Sequence, residues 1–78
     1  MKLDGFLESR INDLGPDDVV EVIVIVQGDL GMNEIRPALS EFDVVEEYPF
    51  SRSFLVRASR AQIRALEGKD FVEAINEA

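Results

Sequence analysis

The 78-residue chain contains neither histidine nor cysteine. It therefore lacks the usual general base near neutral pH and the best nucleophile among the side chains. The absence of cysteine also excludes disulfides and zinc–thiolate sites. No activating partner is evident for Ser40, Ser51, Ser53 or Ser59. We therefore expect a protein that works by binding, with no catalytic residues and no cofactor.

Basic residues are scarce, because eight Lys and Arg stand against sixteen Asp and Glu, which gives a formal net charge of −8. Such a chain repels a phosphate backbone and an anionic lipid surface, so neither nucleic acid nor a membrane is an expected partner. No acidic stretch matches an EF-hand loop, and no metal site is predicted. The adjacent Asp17 and Asp18 follow Gly15-Pro16, where turn chemistry explains them better than an acid/base pair.

Long hydrophobic runs are also absent, since the longest one, Val19–Gln27, is too short to span a membrane as a helix. Seven of its nine residues are Val or Ile, which are typical of a buried central strand. One side of this strand is purely apolar and should face the core: Val20, Val22, Val24 and Val26. The other side has polar ends but an apolar middle, which is unusual for a surface left to water: Val19, Glu21, Ile23, Ile25 and Gln27.

Two helices flank this strand in the sequence. Residues 3–14 are predicted to form an amphipathic helix with Asp4 as a candidate cap, because apolar residues recur at spacings of three and four: Leu3, Phe6, Leu7, Ile11 and Leu14. Residues 32–42 have similar spacing, with Asn33 as a candidate cap. Pro37 falls early in this second helix, where it costs least but can still distort the backbone.

The remaining segments predict two strands, a helix and a final strand. Residues 44–50 have a strand composition, and Pro49 indicates an edge strand or the end of one. Alternation along this strand places Val44, Glu46, Tyr48 and Phe50 on one side and Val45, Glu47 and Pro49 on the other. A tight turn leads into the strand 53–58, and Ser59 with Gln62 then forms a capping box at the start of a helix. Residues 71–75 form the last short strand.

This order predicts an α+β fold, the ferredoxin-like β-α-β-β-α-β plait, with a four-stranded antiparallel sheet, two helices on one face and an extra N-terminal helix. We assign residues 1–18 to the N-terminal helix and linker and residues 19–78 to the plait domain. Right-handed crossovers place the strands 19–27 and 53–58 side by side in the centre of the sheet.

The second face of such a sheet carries no helix. Its apolar middle and polar ends are typical of a docking surface, to which we assign Glu21, Ile23, Ile25, Ser53, Leu55 and Arg57. The alternative is that the N-terminal helix folds back and covers this face.

Four segments together resemble the propeptide of subtilisin-like serine proteases, also called the inhibitor I9 domain: Val20–Gln27, Tyr48–Val56, Ala61–Leu66 and Phe71–Glu77. The resemblance implies a domain that binds a subtilisin-like serine protease, in cis or in trans, and acts as its intramolecular chaperone and inhibitor. It also implies that the open sheet face packs on two surface helices of the protease.

Members of this family cap those helices with carboxylates just after the last strand, which suits the positive end of a helix dipole. The matching positions are Asn76, Glu77 and Ala78, of which Ala78 has no group that can cap. The chain ends before the extended tail that fills the substrate groove in the family, so we expect weak inhibition at best. The resemblance also implies secretion within a precursor, whereas the first residues contain no signal peptide, so the localisation stays open.

A second hypothesis is a small regulatory or assembly module of the same fold, in which the same face binds another domain or forms a homodimer. An RNA-recognition domain also shares the strand order. That class requires exposed aromatic residues on the central strands and a basic surround, whereas this chain offers Ile23, Ile25 and Leu55.

Overall fold

A four-stranded antiparallel sheet forms the centre of the computed structural model, which describes residues 2–78 and thus leaves out only Met1 of the predicted N-terminal segment. The strands are β1 (Val19–Val26), β2 (Asp43–Tyr48), β3 (Ser53–Ser59) and β4 (Val72–Glu77), in the spatial order β2-β3-β1-β4. The helices are α1 (Gly5–Asn12), α2 (Met32–Ile35) and α3 (Arg60–Glu67), and two 3₁₀ turns span Arg36–Leu39 and Pro49–Ser51. The α+β class and the central pairing of β1 with β3 are therefore confirmed.

The core lies between the sheet and the helices. Val22, Val24 and Val26 are buried on the core side of β1, where Val22 lies opposite Val56 and Val24 opposite Phe54 of β3. Apolar side chains from all three helices complete the same core, including Leu7, Ile11, Ile35, Ile63 and Leu66. The wholly apolar side of the Val/Ile strand therefore faces the core, as the alternation predicts.

The first helix is shorter than predicted and uses fewer of its apolar residues. It begins after Asp4, whose Oδ1 accepts a hydrogen bond from the Leu7 N–H at 2.7 Å, so the predicted cap is confirmed. Leu7 and Ile11 are fully buried, whereas Phe6 is 86% exposed. Phe6 belongs to the apolar spacing that predicted the helix but does not reach the core, because positions 7 and 11 take the single stripe that faces the sheet.

The same helix packs on the face of the sheet that carries α2 and α3. Glu8 forms an ion pair with Arg64 of α3 at 2.7 Å, and Arg10 forms one with Glu77 of β4 at 2.6 Å. Glu77 pairs in register with the buried Val22, which places it on the core side. The alternative in which the N-terminal helix covers the other face is thus excluded.

The second helix is interrupted by proline. One α-helical turn follows Gly31, which occupies the N-cap position that was predicted for Asn33. The chain then tightens into the 3₁₀ turn that contains Pro37, because proline cannot donate the next i→i−4 hydrogen bond. Ile35 and Leu39 nevertheless reach the core.

The strand β2 lies at the edge of the sheet, as Pro49 predicts, but its alternation is broken by a bulge. Val44 pairs with Val56 on the core side, whereas Glu46 pairs with Leu55 on the other side. The prediction that Val44 and Glu46 share a side is therefore wrong, since a bulge inserts one residue and shifts the register.

The connection from β2 to β3 depends on Arg52, which has a left-handed backbone with φ 52°. Its guanidinium donates hydrogen bonds to the carbonyl oxygens of Gln27, at 2.6 Å, and of Leu30. Its own carbonyl accepts from the Val26 N–H at 2.9 Å. These contacts join the β2–β3 turn to the loop that follows β1.

The capping box at α3 gives a first stability test. The Gln62 N–H donates to the Ser59 Oγ at 3.3 Å, and the Ser59 N–H donates to the Gln62 Oε1 at 2.9 Å. We expect Ser59→Ala to lower the free energy of unfolding in urea by about 1 kcal/mol. Ser9→Ala, on the exposed side of α1, is the matched control and should stay within about 0.5 kcal/mol of the parent. Equal effects of the two changes would contradict a capping role.

Candidate docking face

The face of the sheet opposite the helices, called here the open face, contains three rows of side chains that cross three or four strands, and a shorter row of Val19 and Ser59 beyond them. Strand pairing sets these rows, because directly opposed residues point to the same side. The first row is Asp43, Arg57 and Glu21; the second is Glu46, Leu55, Ile23 and Asn76; the third is Tyr48, Ser53, Ile25 and Ala74. None of the described residues covers this face from a helix.

The centre of the open face is apolar and partly exposed. Ile23 pairs with Leu55, and Ile25 lies between Ser53 and Ala74. All three large aliphatic side chains keep part of their surface in water, in contrast to the buried valines on the other side of β1. The structure therefore brings together Ile23, Ile25 and Leu55, the three apolar residues of the predicted site.

The first row forms a charged end to this apolar centre. The Arg57 guanidinium lies between two carboxylates, 3.3 Å from Glu21 and 3.9 Å from Asp43. Exposed pairs of this kind add little stability, typically well below 1 kcal/mol, because water screens them. Their main effect is to hold the Arg57 charge near these carboxylates.

Ser53 differs from its predicted role in the polar rim. Only 3% of its surface is exposed, and its hydroxyl lies 2.6 Å from the Ser51 hydroxyl. Ser53 therefore helps to pack the third row but offers little surface to a partner.

Glu46 and Tyr48 extend the open face beyond the residues that the sequence predicted. The Tyr48 hydroxyl donates to the Glu46 Oε2 at 3.3 Å, and the Tyr48 residue is 36% exposed. Desolvation raises the pKa of the phenol above its ordinary value, and the Glu46 carboxylate, its hydrogen bond and Glu21 raise it further. The sequence contains one feature that could have predicted this contact. Glu46 and Tyr48 are two residues apart in a strand, so they lie on the same side of β2.

The three C-terminal residues of the predicted site do not share one surface. The last strand extends to Glu77, two residues beyond its predicted end, so Asn76 and Glu77 point to opposite sides of β4. Asn76 lies on the open face opposite Ile23, while Glu77 pairs with Arg10 on the core side. The Ala78 N–H donates to the Glu21 carbonyl at 3.2 Å. Asn76 thus adds a side chain to the open face, and Glu77 does not.

A groove lies on the helical side of the sheet, between the 3₁₀ turn 36–39 and β2. This groove has a volume of about 570 Å³ and includes Leu39, Phe42, Val44 and Phe54. At its edge, Arg36 and Glu47 form an ion pair at 2.8 Å. Glu47 therefore lies on the other side of the sheet from Glu46, as the sequence predicts.

The described part of the chain contains no group of three or more Asp, Glu, His or Cys residues placed to hold a metal ion. None of its helices is long and apolar enough to cross a membrane.

Comparisons of the chain with protein-family models, with curated proteins and with solved structures gave no match.

Proposed function

We propose that this chain is a propeptide-like domain that binds a subtilisin-like serine protease, in cis or in trans, and acts as its chaperone and inhibitor. The observation that carries the proposal is the apolar centre of the open face. Ile23, Ile25 and Leu55 remain partly exposed on a sheet face that no helix of residues 2–78 covers. Exposed apolar patches of this kind on small domains mark interaction sites.

The arrangement of the strands supports the finer fold assignment within this proposal. The order β2-β3-β1-β4, with the helices on one face, is the order expected of a ferredoxin-like plait. This topology leaves the second sheet face free to meet another protein. The lack of histidine and cysteine agrees with a role in binding.

The size of the open face indicates how a partner would use it. Four strands about 4.8 Å apart and three rows roughly 7 Å apart give a projected area on the order of 400 Å². A stable complex buries about 800 Å² on each partner. A protease that docks here must therefore contact the polar and charged rim as well as the apolar centre.

Refolding of a subtilisin-like protease tests the proposal. The mature protease, denatured and diluted into buffer with this chain in excess, should recover activity faster than the protease alone. The two proteins should also form a one-to-one complex by analytical ultracentrifugation. Unchanged recovery together with no complex would contradict the proposed function.

The second candidate is a module that self-associates through the same open face, and the same apolar centre is the observation that favours it. Charge opposes it, because each copy carries a formal net charge of −8 and two copies would repel one another. We therefore expect a monomer in dilute solution at low ionic strength. A stable dimer in sedimentation equilibrium would favour the assembly module instead.

A further inference from the structure

The open face has one end that is richer in negative charge than its ion pairs can neutralise. Arg57 in the first row is the only cation among the residues of the three rows, against three carboxylates: Glu21 and Asp43 beside it and Glu46 in the next row, which leaves a formal charge of −2. Arg57 contacts Glu21 and Asp43. Among residues 2–78, Glu46 has no ion-pair partner, so half of the unbalanced charge lies on its carboxylate and the other half is shared by Glu21 and Asp43.

The surroundings of Glu46 match an arginine side chain in three respects. One carboxylate oxygen accepts from the Tyr48 hydroxyl at 3.3 Å, which holds the two side chains together and leaves the other oxygen available. The partly exposed Tyr48 ring offers a surface on which a guanidinium can stack. Leu55, directly opposite Glu46, offers apolar surface for the aliphatic stem.

We propose that Glu46 and Tyr48 form a subsite for an arginine side chain of the protein that docks on the open face. Arginine fits better than lysine, because its planar guanidinium can pair with a carboxylate and stack on an aromatic ring together. The inference rests on the proposed function, because it assumes that another protein docks on the open face. It adds the chemistry of the partner, which must present positive charge beside an apolar patch.

Charge complementarity also selects among the occupants of this face. A second copy of the chain would bring its own net charge of −8 and another acidic end. A partner with arginine at the matching position would instead neutralise Glu46 and make the electrostatic potential at this end of the open face less negative. A heterologous basic surface is therefore the occupant that the face fits.

A titration with a small probe tests the subsite without the protease. N-acetyl-arginine amide is added to the isotopically labelled chain, and amide and side-chain resonances are followed by NMR. We expect saturable shifts at Glu46, Tyr48 and Leu55, and no saturable shifts there with N-acetyl-citrulline amide, the neutral analogue. The shifts should vanish in Glu46→Gln and persist in Glu41→Gln. Equal perturbation of all carboxylates would overturn the subsite.

The matched control Glu41→Gln removes the same charge from the helical side. Its side chain is 71% exposed and lies 3.9 Å from Lys69, and it borders a surface formed with α3. A change there tests the general effect of net charge on a basic partner. A change at Glu46 tests the proposed contact.

Binding to the protease separates this inference from the proposed function. Glu46→Gln should weaken the complex about tenfold and reduce its dependence on salt, whereas Glu41→Gln should change it less than about twofold. Binding that survives Glu46→Gln but is lost in Ile25→Glu would overturn the arginine subsite and leave the docking face standing. A wild-type chain that binds no protease would contradict the proposed function, and the arginine titration would then decide the subsite alone.

Discussion

The Ile25→Glu variant is expected to lose binding to its protease by more than about 100-fold while remaining folded. Ile25 is partly exposed in the free protein, so a glutamate at this position keeps access to water before binding. In the complex the same carboxylate would be buried against an apolar surface without a partner, which is strongly unfavourable. The substitution therefore raises the free energy of the complex and not that of the free protein. The dissociation constant measured by calorimetry should rise accordingly.

The matched control for this variant is Phe6→Glu. Phe6 is 86% exposed on α1, which packs on the opposite side of the sheet, so the control adds the same charge to another exposed apolar residue. We expect its affinity to stay within about twofold of the parent, because charges far from an interface mainly alter long-range attraction. Circular dichroism must show that both variants keep their secondary structure. Full affinity in a folded Ile25→Glu variant would exclude the open face as the docking site.

The features that the sequence predicted best are those that depend only on residues close together in the chain. Alternation along the Val/Ile run separates Val22 and Val24 from Ile23 and Ile25, and the structure places these pairs on opposite sides of the sheet. The caps at Asp4 and Ser59 were also predicted, since a cap needs only a side chain and an amide three residues later. These features depend on neighbours in the chain.

Features that depend on tertiary packing were harder to predict. Phe6 and Leu7 both fit a helical stripe, and the spacing does not show which of them meets the sheet. The bulge in β2 also leaves no clear mark in the sequence, although it decides that Val44 and Glu46 point to opposite sides. The burial of Ser53, which is 3% exposed, also has no mark in the sequence.

The same limit applies to the candidate site. The apolar centre of the open face was predicted because three aliphatic residues stood out among polar ones on the outer side of two strands. The contact between Tyr48 and Glu46 depends on the geometry of β2 at the edge of the sheet. The separation of Asn76 from Glu77 depends on where β4 ends, and strand ends are the least certain part of a sequence prediction.

The N-terminal helix supplies the prediction with the largest expected effect on stability. Leu7 is fully buried in the core that β1, β3 and α3 share, so Leu7→Ala removes apolar contacts and leaves a cavity. We expect it to lower the free energy of unfolding by about 2–5 kcal/mol. Small domains are stable by only about 5–15 kcal/mol, and this chain of 78 residues should lie low in that range. Urea denaturation should therefore show a large fall in the midpoint.

The neighbouring substitution Phe6→Ala is the control, since it shortens an exposed side chain in the same helical turn. Alanine favours helices in both variants, so a difference between them reports on packing against the sheet. We expect Phe6→Ala to remain within about 0.5 kcal/mol of the parent. If Leu7→Ala were equally mild, α1 would contribute little to the core, and it could leave its place on the helical side at small cost. A large difference would instead mean that α1 folds with the sheet as one cooperative unit and leaves the open face free for the partner.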